Sequence, residues 1–513
     1  MNTAAAGSNT VPSQSGPGLK THFKSPEGKY KLLYEKTFPI DIVPNDSHSK
    51  SVNDARLKTV TQGTLACLKD KPTAAPLQSS SSFGMTSGVR SAAARFLGSG
   101  SGNKVLSFGA NGGSKFMNGN QMRPQGSLTN GSNDGRGNYL VFNVGDLIYI
   151  SDLSSSDKDP IKSIHFGNMY PICHAYDHDA KDGLDLIIGL NSGDVYLMSL
   201  RQQLQDVAKR PVGALHYNKE GYISNSCCTC IKWIPNADGS FVVAHADGNM
   251  YVYDKNKDVS LDPSFPMIKD PTEFSVTPAR HNKNPVARWH IGQGSINDIA
   301  FTVDGSYMAT VGRDGYLRVF NYKTEQLICG GKSYYGALLC CAWSMDGKYI
   351  VAGGEDDLVQ VWSMEDRKFV ACGEGHNSWV SEVAFDPYWT ATNANSDGME
   401  ENTVYRFGSV GQDARLLLWD LEIGELVVPV RRAACGSPSF SKSALRSDGI
   451  LQRAPSIRDL PRLAPLVAHR VDTEPLSGLI FMQESVITVG RDRHAKVWAR
   501  PGFGENQPST NSI

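Results

Sequence analysis

No stretch of this 513-residue chain is apolar for long enough to cross a bilayer. Runs such as Leu184–Leu190 fall far short of the roughly 20 residues that a membrane helix needs. An excess of either charge is also missing, since 51 Lys and Arg stand against 52 Asp and Glu. Nothing in that balance favours nucleic acid or a charged membrane surface as the main partner. The segment Met1–Ser15 is polar and lacks the apolar core of a secretory signal. Ten cysteines include the neighbours Cys227, Cys228 and Cys340, Cys341, a poor layout for a disulfide framework. A reducing compartment, the cytoplasm and nucleus, is therefore expected.

Catalytic signatures are scarce too. There is no HExxH and no GxSxG. Gly331-Lys332-Ser333 mimics the end of a phosphate-binding loop, but Gln326 stands where its leading glycine is required. The CxxC within Cys227–Cys230 has no second pair to complete a zinc site, and core packing accounts for it better. Neither a metal nor a cofactor is expected.

What is present is repetition. Residues 1–136 read as a largely disordered N-terminal region with one strand at 28–39, because the Ser/Gly/Asn-rich tract 72–136 cannot offset its ordering entropy. From 137 to 503 five ten-residue strings align without gaps: AHADGNMYVY (244–253), VGRDGYLRVF (311–320), GGEDDLVQVW (353–362), VGQDARLLLW (410–419) and VGRDRHAKVW (489–498). Weaker copies stand at 188–197 and 141–150. Alternating β-branched and aromatic residues upstream, as in SINDIAFTVDG and LLCCAWSMDG, mark half-buried strands.

Seven such units predict an all-β, seven-bladed propeller with loop insertions. The turn aspartates Asp247, Asp314, Asp356, Asp413 and Asp492 lie 67, 42, 57 and 79 residues apart. Intervals beyond the roughly 40–45 residues of one blade coincide with insertions at Lys255–Arg288, Tyr388–Asn402 and 428–465. Residues 504–513 form a disordered tail in this reading.

In a blade of this kind a turn Asp, a Ser or Thr, a His and a Trp form a hydrogen-bonded tetrad. Blade six offers His376, Ser409, Asp413 and Trp419; blade seven offers His469, Thr488, Asp492 and Trp498. Blade four offers His290, Thr310, Asp314 and Phe320, where the indole donor is lost. A Ser, His and Asp together also suggest a hydrolase triad, but these residues recur from blade to blade whereas an active site occurs once. No catalytic residue is assigned.

A partner would meet the loops joining the outer strand of one blade to the inner strand of the next. Two neighbouring loops carry large aromatics, Tyr334 and Tyr335 before blade five and Trp379 before blade six. Such rings are either binding anchors or wedges between blades. Glu355 and Asp357 flank a turn on the same face, as rim charge or as a solvated turn. Arg453-Ala-Pro-Ser456 in the last insertion reads either as a kinase site or as solvated linker.

The strings EGKYKLL, GGEDDLVQVWS, GHNSWVSEVAFDP and LIFMQESVITVGRDRHAKVWARPG, with SYYGALLCCAWS, resemble the WD-repeat protein 20 and dystrophia-myotonica WD-repeat family. The likeness spans about residues 25–40 and 137–503. It implies a regulatory subunit that activates a ubiquitin-specific protease of the 12/46 group, alongside a WD-repeat protein 48-like propeller. The family's enzyme-contacting aromatics fall on Tyr335 and Trp379, with Phe more usual at the first. The other protein-scaffold reading is a substrate receptor of a cullin-4 ubiquitin ligase. That role usually shows an Arg three residues after the strand-c Trp, where this chain has Glu365, Glu422 and Pro501.

Overall fold

The computed structural model describes residues 19–38, 62–69, 137–260, 265–389, 404–422, 449–491 and 493–503. These form seven separate antiparallel sheets of four strands, some with a fifth. Letters a to d run here from the inner to the outer strand of a blade. Blade four is representative: Ile296–Phe301, Tyr307–Gly312, Tyr316–Asn321 and Gln326–Lys332 pair in succession. Strand b is almost wholly buried in each blade because sheets pack on both of its faces, so it loses the polar–apolar alternation of a half-exposed strand.

The tight turn between strands b and c explains the repeated Asp. In blade four Asp314 Oδ1 accepts from Tyr316 N at 3.1 Å, and the intervening Gly315 has φ +76°. The left-handed backbone suits glycine there. Asp357, Ala414 and Arg493 occupy the same place in blades five, six and seven at φ of 60°, 59° and 73°. The turn is thus retained even where a Cβ makes it costly.

The boundary expected at residue 137 is corrected by the sheet pairing. Gly63–Leu68 is strand a of blade one and pairs with Gly137–Val144. Gly28–Thr37 is strand d of blade seven, paired with His494–Ala499 (Lys31 opposite Ala499, Thr37 opposite His494). His22–Ser25 adds a fifth strand outside it. Sequence periodicity missed Gly63–Leu68 because the strand is short and its partner begins only at residue 137. The tract 72–136 and the tail 504–513 lie outside the described residues.

Two expected insertions also contain paired structure. Within Lys255–Arg288, Ser275–Pro278 is a fifth outer strand of blade three, and Ala287–His290 is its strand d. The 428–465 insertion lies between strands c and d of blade six. Its described part returns along the rim, where Ile450–Gln452 pairs in parallel with Cys329–Gly331 of blade four. Arg462–Leu463 then pairs in parallel with Cys372–Gly373 of blade five. Unpaired edge groups of strand d provide the reason, since a backbone added there satisfies them.

The N-terminal strands are bound into three blades. Phe23 stacks on Tyr30 at 4.7 Å and lies 5.5 Å from the Trp498 ring. Buried Phe38 stacks on Phe142 of blade one at 4.3 Å, and Lys36 Nζ donates to Ser155 O at 2.6 Å. Arg406 of blade six is buried, forms a bidentate pair with Asp420 at 2.7 and 2.8 Å, and also donates to Glu27. Its guanidinium lies 3.5 Å from the centre of the Trp389 ring. Replacing Arg406 by Ala leaves two carboxylates without their cation and should lower unfolding stability by about 3–5 kcal/mol. Denaturant titration of the full chain measures this loss.

Candidate functional site

In blade six the four side chains expected to meet do so. Gly375 turns the chain out of strand d of blade five, and His376 follows four residues ahead of strand a, Val380–Phe385. His376 Nδ1 lies 3.1 Å from both oxygens of Asp413, and Nε2 lies 2.8 Å from Ser409 Oγ. Trp419 Nε1 donates to the same Oγ at 2.8 Å. Burial alone would raise the Asp413 carboxyl, but bonds from His376 and from Asn377 N outweigh it and hold the pKa below the ordinary value. Ser409 is fully buried and already accepts from the indole, so no substrate reaches it. The grouping is structural.

Among the described residues, blade seven keeps the indole–hydroxyl half of this set. Trp498 Nε1 donates to Thr488 Oγ1 at 3.1 Å. His469 does not take part: it lies within strand d of blade six, stacks on Phe23 at 5.1 Å, and has no partner at Nε2. The position four before strand a holds Asp472 instead, whose Oδ2 accepts from buried Lys496 at 2.7 Å. Asp492 lies outside the described residues.

Blade four departs further. His290 ends strand d of blade three, its Nδ1 lying 3.0 Å from Asn249 Oδ1 and its Nε2 2.9 Å from Pro271 O. Gly292 stands where a tetrad His would, and Asp314 accepts from Arg318 Nη2 at 2.6 Å instead. Thr310 Oγ1 is buried without a partner, and Phe320 packs against Trp289 and Phe274.

Blade five, with Ala352 in the Ser position, follows the same substitution. Asp356 Oδ2 accepts from Gln360 Nε2 at 2.6 Å, and Trp362 Nε1 has no partner. With no His to stabilise its charge, burial raises the Asp356 carboxyl to about 6 despite bonds from Leu358 N and Gln360. The residue four past the turn Asp supplies the replacement: Arg318 in blade four and Gln360 in blade five bind the Asp itself, while Lys496 binds Asp472 in blade seven. Blade six has Leu417 there and keeps its His. A long polar side chain amid a buried strand c is the sequence signal for a lost His.

The loop aromatics divide. Tyr335 is 77 % exposed and Trp379 is 42 % exposed, on the loops leading into blades five and six. Tyr334, grouped with them from sequence, instead packs inward against the cluster of Trp343, Trp362 and Phe369. It occupies the His position of blade five. Its hydroxyl lacks a partner, and burial pushes its pKa up to about 12, with Cys372, Asp459 and Asp356 adding. Glu355 is a tether more than a rim charge, because its Oε2 accepts from Ala337 N at 2.9 Å and fixes the Tyr335 loop. Asp357 remains half-exposed at the left-handed turn position. Gln412 N donates to Trp379 O at 2.8 Å, so the blade-six turn fixes that backbone too.

Sequence reasoning missed Asp298, on strand a of blade four. It accepts from Ile299 N at 2.8 Å and Cys341 N at 3.1 Å, with Cys230 Sγ at 3.4 Å and Lys232 Nζ at 3.4 Å. It therefore ties the inner strands of blades three, four and five. Glu382 of blade six has its carboxyl raised by burial, with Asp298 adding and Lys232 opposing.

Two substitutions should separate the full tetrad from the partial ones. Ser409→Ala leaves His376 Nε2 and the Trp419 indole N–H unpaired and should cost about 1–3 kcal/mol, whereas Thr310→Val removes a hydroxyl that bonds nothing and should leave the melting temperature unchanged or raised. Thermal melts compare them. Asp356 adds a pH dependence. Its raised pKa means the folded chain binds more protons than the unfolded chain between about pH 4 and 6, so this group's contribution to stability falls as pH rises through that window. Asp356→Asn, with the Gln360 amide turned to accept, should therefore melt higher than wild type at pH 7 and lose that advantage near pH 4.

The WD domain, G-beta repeat family model matches residues 284–321 and 329–363, which lead through blades four and five. A chain in the solved structure "Crystal Structure of Mitotic Checkpoint Complex" superposes with a TM-score of 0.47 at 13 % identity. That match covers 71 % of this chain and 86 % of the other, and at this level it carries no functional argument. Seven sheets with recurrent Asp turns, two repeats matched by the family model and one complete tetrad make this chain a WD-repeat protein with a seven-bladed β-propeller.

Proposed function

We propose that the chain is a non-catalytic scaffold that binds and activates a ubiquitin-specific protease of the 12/46 group, alongside a second propeller like WD-repeat protein 48. The observation that carries this reading is the exposure of Tyr335 and Trp379 on neighbouring loops. Trp289, Trp362, Trp419 and Trp498 are fully buried, so an indole left in solvent stands out from the chain's own pattern. Trp and Tyr are the side chains most enriched among residues that dominate interface energies. Both loops have fixed backbones, through Glu355 for one and Gln412 for the other, which lowers the entropy lost on binding. The sequence resemblance supplies the class of partner, and WD propellers generally serve as protein-interaction scaffolds.

Activation in this reading requires no group from the propeller in the chemistry. A rigid face that binds the protease better in its active conformation shifts that equilibrium by its differential affinity. The Tyr335 hydroxyl, where the resembled family usually has Phe, adds a polar tip to an otherwise apolar contact.

Trp379→Ala should weaken protease binding by roughly thirty-fold to a thousand-fold, the effect of losing about 2–4 kcal/mol of an interface anchor. Tyr335→Ala should act likewise, and Tyr335→Phe should be tolerated. Co-purification and ubiquitin-substrate turnover provide the readout, with circular dichroism as the folding control. Full stimulation by well-folded Trp379→Ala and Tyr335→Ala would make the rings structural wedges. Recovery of a cullin-4 ligase in place of a deubiquitinase would favour the substrate-receptor function.

A further inference from the structure

The rim segment 449–463 carries a feature that partner binding does not use. Its two short strands are anchored on adjacent blades, Ile450–Gln452 on blade four and Arg462–Leu463 on blade five. Gln452 Nε2 donates to Arg367 O at 2.7 Å on one side. On the other, Cys372 N donates to Pro461 O at 2.9 Å, and Leu460 is buried against Trp362, Phe369 and Cys372. Between these anchors the chain bridges the gap through Arg453-Ala454-Pro455-Ser456 and a single 3-10 turn, Ile457–Asp459, closed by Asp459 N to Ser456 O at 2.8 Å.

We infer that Ser456 is a phosphorylation site for an arginine-directed protein kinase. Ser456, Arg453 and Arg458 are exposed on this bridge. The Ser456 side chain makes no capping bond, so its Oγ is not committed to the turn it precedes. Its backbone is extended, at φ −67° and ψ 130°. Pro455 fixes its own φ and biases Ala454 towards extended backbone, so the stretch that a kinase cleft must hold is already straight. Arg453, three residues upstream, offers a guanidinium for bidentate pairing with a carboxylate of the enzyme. Ile457 follows the serine, which excludes a kinase that requires proline there.

In the reaction Ser456 Oγ attacks the γ-phosphorus of kinase-bound ATP. The Oγ–P bond forms as the bond to the ADP oxygen breaks, ADP leaves with that electron pair, and the hydroxyl proton passes to the kinase's base. The product carries about −1.5 to −2 charges at pH 7, set between Arg453 and Arg458 in the chain. Because the anchoring contacts at Gln452, Leu460 and Arg462 do not involve Ser456 Oγ, the rim segment stays docked when modified.

This inference is independent of the protease reading and is tested without it. The full-length protein is incubated with the purified catalytic subunit of an arginine-directed kinase and Mg-ATP, and phosphate is mapped by mass spectrometry. Ser456 should be labelled in the folded chain, and Ser456→Ala should abolish that label. Arg453→Ala should slow labelling about tenfold or more, the effect of losing one charge-assisted pair. The melting temperature of the phosphorylated protein should match that of the unmodified one. Ser456 left unlabelled on the folded protein, labelling only after unfolding, or an unchanged rate in Arg453→Ala would each overturn the assignment.

Discussion

A ring of blades stays closed only if its first and last sheets are joined, and here the joint is a ladder between the two ends of the chain. Strand d of blade seven comes from Gly28–Thr37 while strands a to c come from Leu476–Ala499. The interaction is doubled by side chains: Phe23 and Tyr30 cover Trp498, Phe38 reaches blade one, and Glu27 meets Arg406 of blade six. Blades two to five take their four main strands from consecutive sequence, whereas blades one and six close across long intervals, Gly63–Leu68 pairing with Gly137–Val144 and Arg415–Leu418 with Val467–Arg470. The face that presents Tyr335 and Trp379 is therefore held in shape by a contact made between distant parts of the sequence.

Within that ring the turn Asp recurs from blade three to blade seven, and among the described residues its partner varies. Blade six keeps the indole–hydroxyl–imidazole–carboxylate chain, the described residues of blade seven keep the indole–hydroxyl bond, and blades four and five satisfy the Asp from strand c. The variation is tolerated because blades four, five and six each supply the carboxylate with a donor, which a buried acceptor needs more than it needs any particular residue. Where the donor is neutral Gln360, the carboxyl is raised; where His376 and backbone amides converge, it is lowered.

The fold was legible where period and turn chemistry coincide, in the strings around Asp314, Asp356 and Asp413 that became strands b and c. It was not legible at Gly63–Leu68 or at the rim strands, which are short and owe their form to edges distant in sequence. The sequence placed His290 and His469 in tetrads because each is a His lying ahead of strand a. The backbone puts both inside a preceding strand d, six and seven residues ahead of strand a where His376 stands four ahead. Among the loop aromatics, adjacency in sequence hid opposite fates: Tyr334 turns into the core, and Tyr335 into solvent.

Exposed rings on fixed loops, at one end of a closed ring, are what a docking face requires. Strand direction puts the loops bearing Tyr335 and Trp379 at one end of the blades and the turns at 302–306 and 344–348 at the other. Amide hydrogen exchange on the full chain, with and without a ubiquitin-specific protease of the 12/46 group, discriminates between these ends directly. The account predicts slowed exchange at 333–337 and 377–380 in the complex and no change at 302–306 or 344–348. Slowed exchange confined to the latter turns, with the aromatic loops unaffected, would contradict it.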